Sequence, residues 1–363
     1  MQIKKETSKS VAIVTILGEN QGNRLQNYAL QRVLEKNCVK VETLKNLCTE
    51  SQALLDKTKR TIKKCMSIYL PKMKKERQRH LLFNEFDRRY IKYSKYKLWN
   101  EKIPVEITQS YDYFICGSDQ IWNPNYPQNG CVNFLGFVEA GKKSSYAASM
   151  GAEYIPEERK KEFSVYINDL DNISVREAEC VSILQEMTNK SIEVNLDPTL
   201  LLNDSEWAQL EKKPNVVISN KRYVLVYFLG TISKEASDFI KAIKDREKIE
   251  IIDIHSDEWY GFIGPSEFLY LIHNCDYVVT DSFHGTVFSI IYQKEFYVFP
   301  RDGIGNSMGG RIVSLLEIVD LSERYLCNSV EEKGMINYSV VEQKLTVEKK
   351  KSLRYIEQII SQI

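Results

Sequence analysis

The sequence lacks a long apolar run, and it carries almost no net charge. No stretch approaches the ~20 consecutive apolar residues of a membrane-spanning helix. The apolar run near the N-terminus is short and continues directly into a strand-and-helix pattern, so it predicts a first β-strand rather than a signal peptide. A net charge of +1 argues against a general nucleic-acid binder. We therefore expect a folded protein that does not act on nucleic acid.

Closely spaced cysteines are also missing. The eight cysteines are scattered and none forms a CxxC pair, so the spacing suggests neither a zinc site nor a thioredoxin-like motif. Several, such as Cys116 and Cys275, lie in apolar strands or at helix ends. Buried free thiols in a reducing compartment explain them best. We expect a cytoplasmic protein without a bound metal, and the inner face of the membrane is an alternative location.

Positive charge is concentrated between Lys57 and Lys97, where basic residues far outnumber Glu76, Glu85 and Asp87. This region lacks strand alternation, so we predict two inserted helices over about residues 51–97 with a solvated basic face. The alternative interpretation is a peripheral contact with an anionic membrane or with an anionic lipid-linked glycan.

The chain has more residues than a single hydrophobic core usually accommodates, because such cores stop growing near ~250–300 residues. A buried-strand pattern at residues 11–17 opens a strand–helix–strand unit, and the same kind of pattern begins again at residues 223–229. Consecutive units of this kind predict an α/β fold with two Rossmann-like domains facing a cleft. The predicted domains are residues 1–205 with the basic helical insertion, residues 206–345, and a C-terminal helix over residues 346–363. Further strands are predicted at residues 39–44, 111–116, 132–138, 144–149, 173–175, 192–196, 249–254, 276–280 and 295–299.

The segment after the strand at residues 276–280 carries the strongest motif. Ser282 is predicted to cap the following helix, whose free N–H groups and positive dipole end make an anion site. Gly285 would let a ligand approach the backbone, and His284 would project from the first turn toward that anion. The alternative is that Asp281 and Ser282 only cap the helix and that His284 fills space.

A second polar segment, GSDQIWNP, follows the strand at residues 111–116. Asp119, Gln120 and Asn123 are predicted to hydrogen-bond sugar hydroxyls, and Trp122 is predicted to stack on a sugar face. The alternative is a turn held by Asx hydrogen bonds with Trp122 in the core.

The first strand is followed by NQGNRLQNY. Its glycines do not fit the GxGxxG fingerprint, so a nicotinamide cofactor is not expected. Asn23 and Arg24 at the helix start are predicted to grip an anionic or glycan group. The alternative is ordinary helix capping by Asn23.

Arginines flank the predicted cleft. Arg176 lies at a strand-to-helix junction and is suited to bind carboxylate or phosphate bidentately, although a surface pair with Glu177 would also explain it. The glycine-rich segment from Arg301 to Arg311 is predicted to close over an anion or to serve as a mobile connector. Asp197 is assigned to the hinge between the domains rather than to chemistry.

Taken together, these segments resemble the polysaccharide pyruvyl transferase family. The resemblance implies two Rossmann-type domains like those of GT-B glycosyltransferases, with the active site between them and a C-terminal helix crossing back. Family members of known activity transfer pyruvate from phosphoenolpyruvate to form a cyclic ketal on a saccharide. The segments that carry the resemblance are NQGNRLQNYALQ, GSDQIWNP, ISVRE, DPTLLL and TDSFHGTVFSIIYQKEFYVF.

The resemblance assigns roles to single residues. His284 matches the helix-start histidine of the family, Arg176 its anion-binding arginine and Arg311 its later arginine. The co-substrate would be phosphoenolpyruvate without a further cofactor, and the acceptor would be a saccharide, with a lipid-linked one as an option. The predicted site comprises His284 and Asp119 as catalytic residues; Arg176, Ser282, Gly285, Thr286 and Arg311 for the donor; and Asn23, Arg24, Gln120, Trp122 and Asn123 for the acceptor.

Two other functions remain open at this point, because folds of this kind host many chemistries. One is a nucleotide-sugar glycosyltransferase, for which Glu295 would be the ribose-binding carboxylate. The other is a non-catalytic glycan-binding protein of a capsule-assembly complex.

Overall fold

Apolar runs in the first part of the chain form a parallel sheet. A computed structural model describes residues 9–37, 39–47, 71–99, 103–126, 130–218, 222–301, 309–326 and 333–363. The sheet has the strand order β3–β2–β1–β4–β5, and all its neighbouring strands run parallel. Its elements in chain order are β1 (Ser10–Val14), α1 (Gln21–Lys36), β2 (Lys40–Leu47), α2 (Pro71–Tyr90), β3 (Tyr93–Trp99), α3 (Val105–Ser110), β4 (Tyr113–Cys116) and β5 (Lys143–Ser145).

The chain then adds a small parallel pair beside β5. A bridge between Ser144 and Asn172 joins this pair to the edge of the first sheet. The elements are α4 (Glu157–Asp169), β6 (Ile173–Val175), α5 (Ala178–Gln185), β7 (Ile192–Val194) and α6 (Asp204–Ala208).

The second part of the chain forms a separate four-stranded parallel sheet in the order β11–β10–β8–β9. Strand β8 is buried along its whole length, as expected for a parallel strand covered on both faces. The elements are β8 (Tyr223–Tyr227), α7 (Lys234–Glu247), β9 (Glu250–Asp253), α8 (Pro265–Asn274), β10 (Tyr277–Thr280), α9 (Phe283–Ile291), β11 (Glu295–Val298), α10 (Gly310–Ile318) and α11 (Tyr338–Ser361). The prediction of two Rossmann-like α/β units is confirmed.

The C-terminal helix contacts both units. Tyr355 donates a hydrogen bond from its hydroxyl to the Ser145 carbonyl at 2.9 Å, and the Leu196 amide donates to Ser352 Oγ at 3.0 Å. Tyr338 donates to the carbonyl of Ser289, on α9, at 3.3 Å. The helix therefore crosses back over the first unit, as predicted. It begins at Tyr338, earlier than residue 346, and the proposed domain boundary near residue 205 stays a prediction.

One predicted strand is wrong, because residues 132–138 do not form a strand and the segment Cys131–Phe134 is a 3₁₀ helix. Of the two helices predicted in the basic insertion, one is α2, and the other is untested because residues 48–70 lie outside the described residues. The last residues of the predicted insertion belong to β3 instead of a helix. Lys95 and Lys97 of β3 are exposed, and such lysines are common on an edge strand.

Candidate active site

His284 lies in the first turn of α9, immediately after β10. Its side chain is 5% exposed, and Ser282 caps the helix by accepting from the Gly285 amide at 3.3 Å. The imidazole packs against Gly22 in the first turn of α1, so close that a Cβ atom at Gly22 would fall 2.0 Å from Nδ1. The ring thus lies between the N-terminal ends of two helices, one from each unit. Both ends carry partial positive charge.

We expect the Gly22→Ala variant to displace His284. The kcat of the pyruvyl transfer that the family resemblance implies should then fall at least tenfold. A methyl group cannot occupy that position unless the ring or α1 moves, and such overpacking costs about 1–3 kcal/mol. Steady-state kinetics and thermal unfolding would measure both effects. Gly334→Ala is the matched control, since nothing lies within 4 Å of its added Cβ. Equal kcat in both variants would show that the ring position does not matter.

Arg176 is the centre of a buried ion-pair network. Its Nη1 atom donates to Asp197 Oδ2 at 2.8 Å and its Nε atom to Glu177 Oε1 at 3.0 Å. Asp197 Oδ2 also accepts from Ser118 Oγ at 3.0 Å and lies 3.8 Å from His284 Nε2. The arginine therefore makes the pair with Glu177 that the sequence allowed, but it is buried rather than on the surface.

Asp197 was predicted only to shape the hinge, and the structure places its carboxylate beside His284. The residue lies in the loop after β7, which ends at Val194. Other site residues were predicted because they are polar and follow the carboxyl end of a parallel strand. The same criterion would have identified Asp197.

The close charges shift the pKa values of the site. Burial opposes ionisation of Asp119 and Asp197, but the neighbouring Arg176 and His284 outweigh it and lower the pKa of both carboxyls. Burial lowers the pKa of His284, although both carboxylates oppose the shift. Burial together with the like charge of Arg176 lowers the pKa of Arg311 to about 10. The site thus holds two carboxylates that favour the ionised form, and burial disfavours the charged forms of His284 and Arg311.

A cavity of about 220 Å³ lies between the two units at this point. Arg311 approaches it from α10 and Asp119 from the loop after β4, with their closest charged atoms 3.9 Å apart. In the amide orientation that pairs donors with acceptors, Gln120 Oε1 accepts from both Nη atoms of Arg311 at 2.7 and 2.8 Å. Asn23 also faces the cavity and donates to the Asp119 carboxylate. Six predicted residues therefore share this cavity, namely Asn23, Asp119, Gln120, Ser282, His284 and Arg311.

Three buried nitrogen atoms in this region have no hydrogen-bond partner among the described residues. They are His284 Nε2, Arg176 Nη2 and Arg311 Nε. A buried polar group without a partner costs about 1–3 kcal/mol, and more when it is charged. An acceptor that binds here would remove this cost, so the arrangement suits an anion.

Arg176 does not itself line the cavity. Its guanidinium lies over the Phe283 ring, 4.1 Å from the centroid, and that ring faces the cavity. Direct contact between Arg176 and a donor anion would require Phe283 to move.

Arg301 flanks the glycine-rich segment, was not among the predicted site residues, and lines the cavity. Its Nε atom donates to Asp281 Oδ2 at 3.0 Å, and that carboxylate also accepts from the Leu229 and Gly230 amides. Asp281 therefore positions Arg301 rather than capping α9. Most of the glycine-rich segment from Arg301 to Arg311 lies outside the described residues, since residues 302–308 are not among them. Its predicted closure over an anion therefore stays a prediction.

Three predicted ligand contacts are wrong. Trp122 is fully buried and stacks on Phe134 with ring centroids 5.1 Å apart, so it cannot stack on a sugar. A Cβ at Gly285 would meet Thr280 Oγ1 at 2.5 Å, so this glycine allows close helix–strand packing rather than ligand approach. Thr286 is fully buried, and its hydroxyl donates to the Ser282 carbonyl at 3.1 Å.

Two predicted acceptor residues lie away from the cavity around His284. Asn123 is buried and accepts from the Asn125 amide at 2.9 Å within its own turn. Arg24 forms an ion pair with Asp87 at 2.7 Å and lines a different cavity.

In the described ranges, no group of three or more His, Cys, Asp or Glu side chains is arranged to hold a metal ion. None of the helices there combines the length and apolar composition that a bilayer span requires. The predicted membrane contact stays untested, and its residues 57–70 lie outside the described residues.

Solved structures with a similar backbone are distant in sequence. S. aureus MnaA, in a co-structure with UDP, is 13% identical with a TM-score of 0.44, over 93% of this chain and 94% of that one. A UDP-N-acetylglucosamine 2-epimerase is 12% identical with a TM-score of 0.49, over 96% and 90%. MurG of Acinetobacter baumannii is 8% identical with a TM-score of 0.39, over 97% and 99%. Similarity at this level says nothing about activity.

No curated protein sequence matches this chain at a significant level. A family model does match, over residues 20–303, and its description is polysaccharide pyruvyl transferase. The matched range covers most of the chain and contains Asn23, Asp119, Arg176, Asp197 and His284. The chain belongs to the polysaccharide pyruvyl transferase family.

Proposed function

We propose that the protein transfers a pyruvyl group from phosphoenolpyruvate to two hydroxyls of a saccharide and forms a cyclic ketal during synthesis of a capsule, an exopolysaccharide or another cell-surface glycan. The observation that carries the proposal is a pair of buried nitrogens, His284 Nε2 and Arg311 Nε, that lie on residues lining one small cavity and have no hydrogen-bond partner among the described residues. Phosphoenolpyruvate brings a phosphate and a carboxylate, the acceptors that these donors lack.

The size of the cavity also favours a small donor. Pockets for drug-sized ligands usually measure about 300–1,000 Å³, whereas this cavity measures about 220 Å³. Arg301 and Arg311 face it from the second unit, so they would bind the phosphate and the carboxylate. Gln120 would keep the Arg311 guanidinium in position.

The reaction needs one protonation and two additions. A proton added to the methylene carbon gives a methyl group and an oxocarbenium-like centre at the neighbouring carbon. A sugar hydroxyl attacks this centre and loses its proton, and the carbon–oxygen bond to phosphate then breaks. A second hydroxyl attacks the same carbon, loses its proton and closes the ketal.

His284 would supply the first proton. Its pKa is lowered in the free protein, but the negative charges of bound phosphoenolpyruvate would raise this pKa and favour the imidazolium form. Asp119 stays ionised and is held by Asn23, so it would orient the attacking hydroxyl and accept its proton. Asp197, 3.8 Å from Nε2, would stabilise the imidazolium.

The position of Glu295 does not support the glycosyltransferase alternative. Glu295 is the first residue of β11, at the opposite end of the strand from the cavity. Its carboxylate accepts from Arg324 Nη1 at 2.9 Å and from the Ile336 amide at 2.7 Å. It therefore cannot bind a ribose at the carboxyl end of the sheet.

The test is thermal unfolding with phosphoenolpyruvate, with UDP and GDP as controls, followed by transfer of carbon-14 from the pyruvyl group to a saccharide. A ligand at a hundred times its Kd that binds only the folded state stabilises it by about 2.7 kcal/mol. We expect stabilisation by phosphoenolpyruvate alone and label in the saccharide. Stabilisation by UDP or GDP without any by phosphoenolpyruvate would favour a glycosyltransferase. Ligand binding without label transfer would favour a non-catalytic glycan-binding protein.

A further inference from the structure

A second and larger cavity, of about 720 Å³, lies in the first unit beside helix α2. One wall is the face of α2 that carries His80, Leu81 and Asn84. The opposite wall is the carboxyl end of β2 with Lys45 and Asn46. Its volume is within the range of about 300–1,000 Å³ that is usual for ligand pockets.

The larger cavity adjoins the cavity around His284. In the turn after β1, Glu19 lines the larger cavity and the next residue, Asn20, lines the smaller one. On α1, Arg24 lines the larger cavity and Asn23 the smaller one. Neighbouring residues of this turn and of the start of α1 therefore line the two spaces, which places them close enough for one extended ligand to span.

The lining of the larger cavity differs in charge from that of the smaller one. Among the described residues that line it, the formal positive and negative charges balance, and the amides of Asn46 and Asn84 and the ring of Tyr93 are also offered. Planar polar groups and apolar patches without net charge match a neutral polyhydroxylated ligand rather than a phosphate. The balanced charges are those of Arg24, Lys45 and Arg77 against Glu19, Glu76 and Asp87.

The helical wall is held in place by Arg79. This buried arginine donates to the Ile263 carbonyl of the second unit at 3.0 Å and to the Glu19 carbonyl of the turn at 3.2 Å. Its guanidinium also lies over the rings of Phe83 and Tyr260, at 4.8 and 5.1 Å from their centroids. The helix, the turn and the second unit are therefore fixed relative to one another, which lowers the entropic cost of binding.

We propose that the larger cavity is the acceptor subsite and that it holds a neutral oligosaccharide. The sugar that receives the pyruvyl group extends past the turn at residues 18–20 toward His284. This inference rests on the proposed function. It also gives Arg24, which lies away from His284, a place in acceptor binding.

The test fills the cavity without touching the smaller one. Leu81 and Asn84 are exposed residues of α2 that line the cavity, and Lys74 is an exposed residue of the same helix that does not. The variants Leu81→Trp and Asn84→Trp are compared with Lys74→Trp on an array of neutral and anionic oligosaccharides, with phosphoenolpyruvate present. We expect the wild type and Lys74→Trp to bind neutral saccharides and both cavity variants to lose that binding at least tenfold.

The proposal is overturned if the wild type binds no neutral saccharide on the array, or if both cavity variants bind like the wild type. The same proteins are tested for thermal stabilisation by phosphoenolpyruvate. Stabilisation that persists in a cavity variant shows that the smaller site is folded, so lost saccharide binding then supports the proposal. A wild type that phosphoenolpyruvate does not stabilise counts against the proposed function, while the array result still decides the saccharide site.

Discussion

The His284→Ala variant is expected to lower kcat by about 10²- to 10⁴-fold, the usual effect of losing a positioned general acid. The imidazole lies between two helix starts and close to the Asp197 carboxylate, and its Nε2 atom has no partner among the described residues. No other histidine lines the cavity. The measurement is the initial rate at saturating phosphoenolpyruvate and saccharide.

His273→Ala is the matched control. This histidine stacks on Tyr292 with ring centroids 4.4 Å apart and pairs with Glu211 at 2.7 Å, and it does not line the cavity around His284. We expect its removal to change stability slightly and to leave kcat unchanged. Full activity in His284→Ala would remove His284 from the proposed reaction.

Arg311 and Arg176 belong to the same site, but their replacement is expected to change different quantities, substrate binding for Arg311 and stability of the fold for Arg176. Arg311→Ala is expected to raise the KM for phosphoenolpyruvate about 10- to 100-fold, because a hydrogen bond to a charged group contributes about 1.5–3 kcal/mol. Stability should stay the same or rise. Burial and Arg176 already lower the pKa of Arg311 to about 10, so its charge is poorly compensated in the free protein.

Arg176→Ala is expected to destabilise the fold instead. Its removal leaves the buried carboxylates of Asp197 and Glu177 without their partner, and breaking a buried ion pair in this way costs about 3–5 kcal/mol. Denaturant unfolding of both variants beside the wild type gives the comparison. Equal destabilisation by the two substitutions would contradict the assignment of Arg176 to the framework and Arg311 to the ligand.

Much of the site was predictable from the position of polar residues after apolar strands. His284 and Asp119 were found in this way, Arg311 was assigned by the family resemblance, and the structure brings the three to one cavity. The same reasoning failed for Trp122, because a pattern of residue types does not show whether an aromatic ring after a strand faces the cleft or the core.

Some elements of the fold were also predictable from the sequence, and others were not. The apolar runs of β1 and β8 were recognisable because buried parallel strands need contiguous apolar residues. Strand β3 was missed, since its exposed lysines hide the alternation of an edge strand. The segment Cys131–Phe134 looked like a strand, but it is a 3₁₀ helix whose Asn133 carbonyl accepts from Trp122 Nε1 at 3.2 Å.

By itself, the sequence determined that the chain forms two α/β units with polar loops at the ends of their strands, because local apolar periodicity and helix-start chemistry act between near neighbours. Only the tertiary structure decided which of those loops meet. The contact of Gly22 with His284, the pairing of Arg176 with Asp197 and the cavity behind Arg24 all join residues from separate segments. Their distances depend on how the two sheets and the helices pack, which no local pattern records.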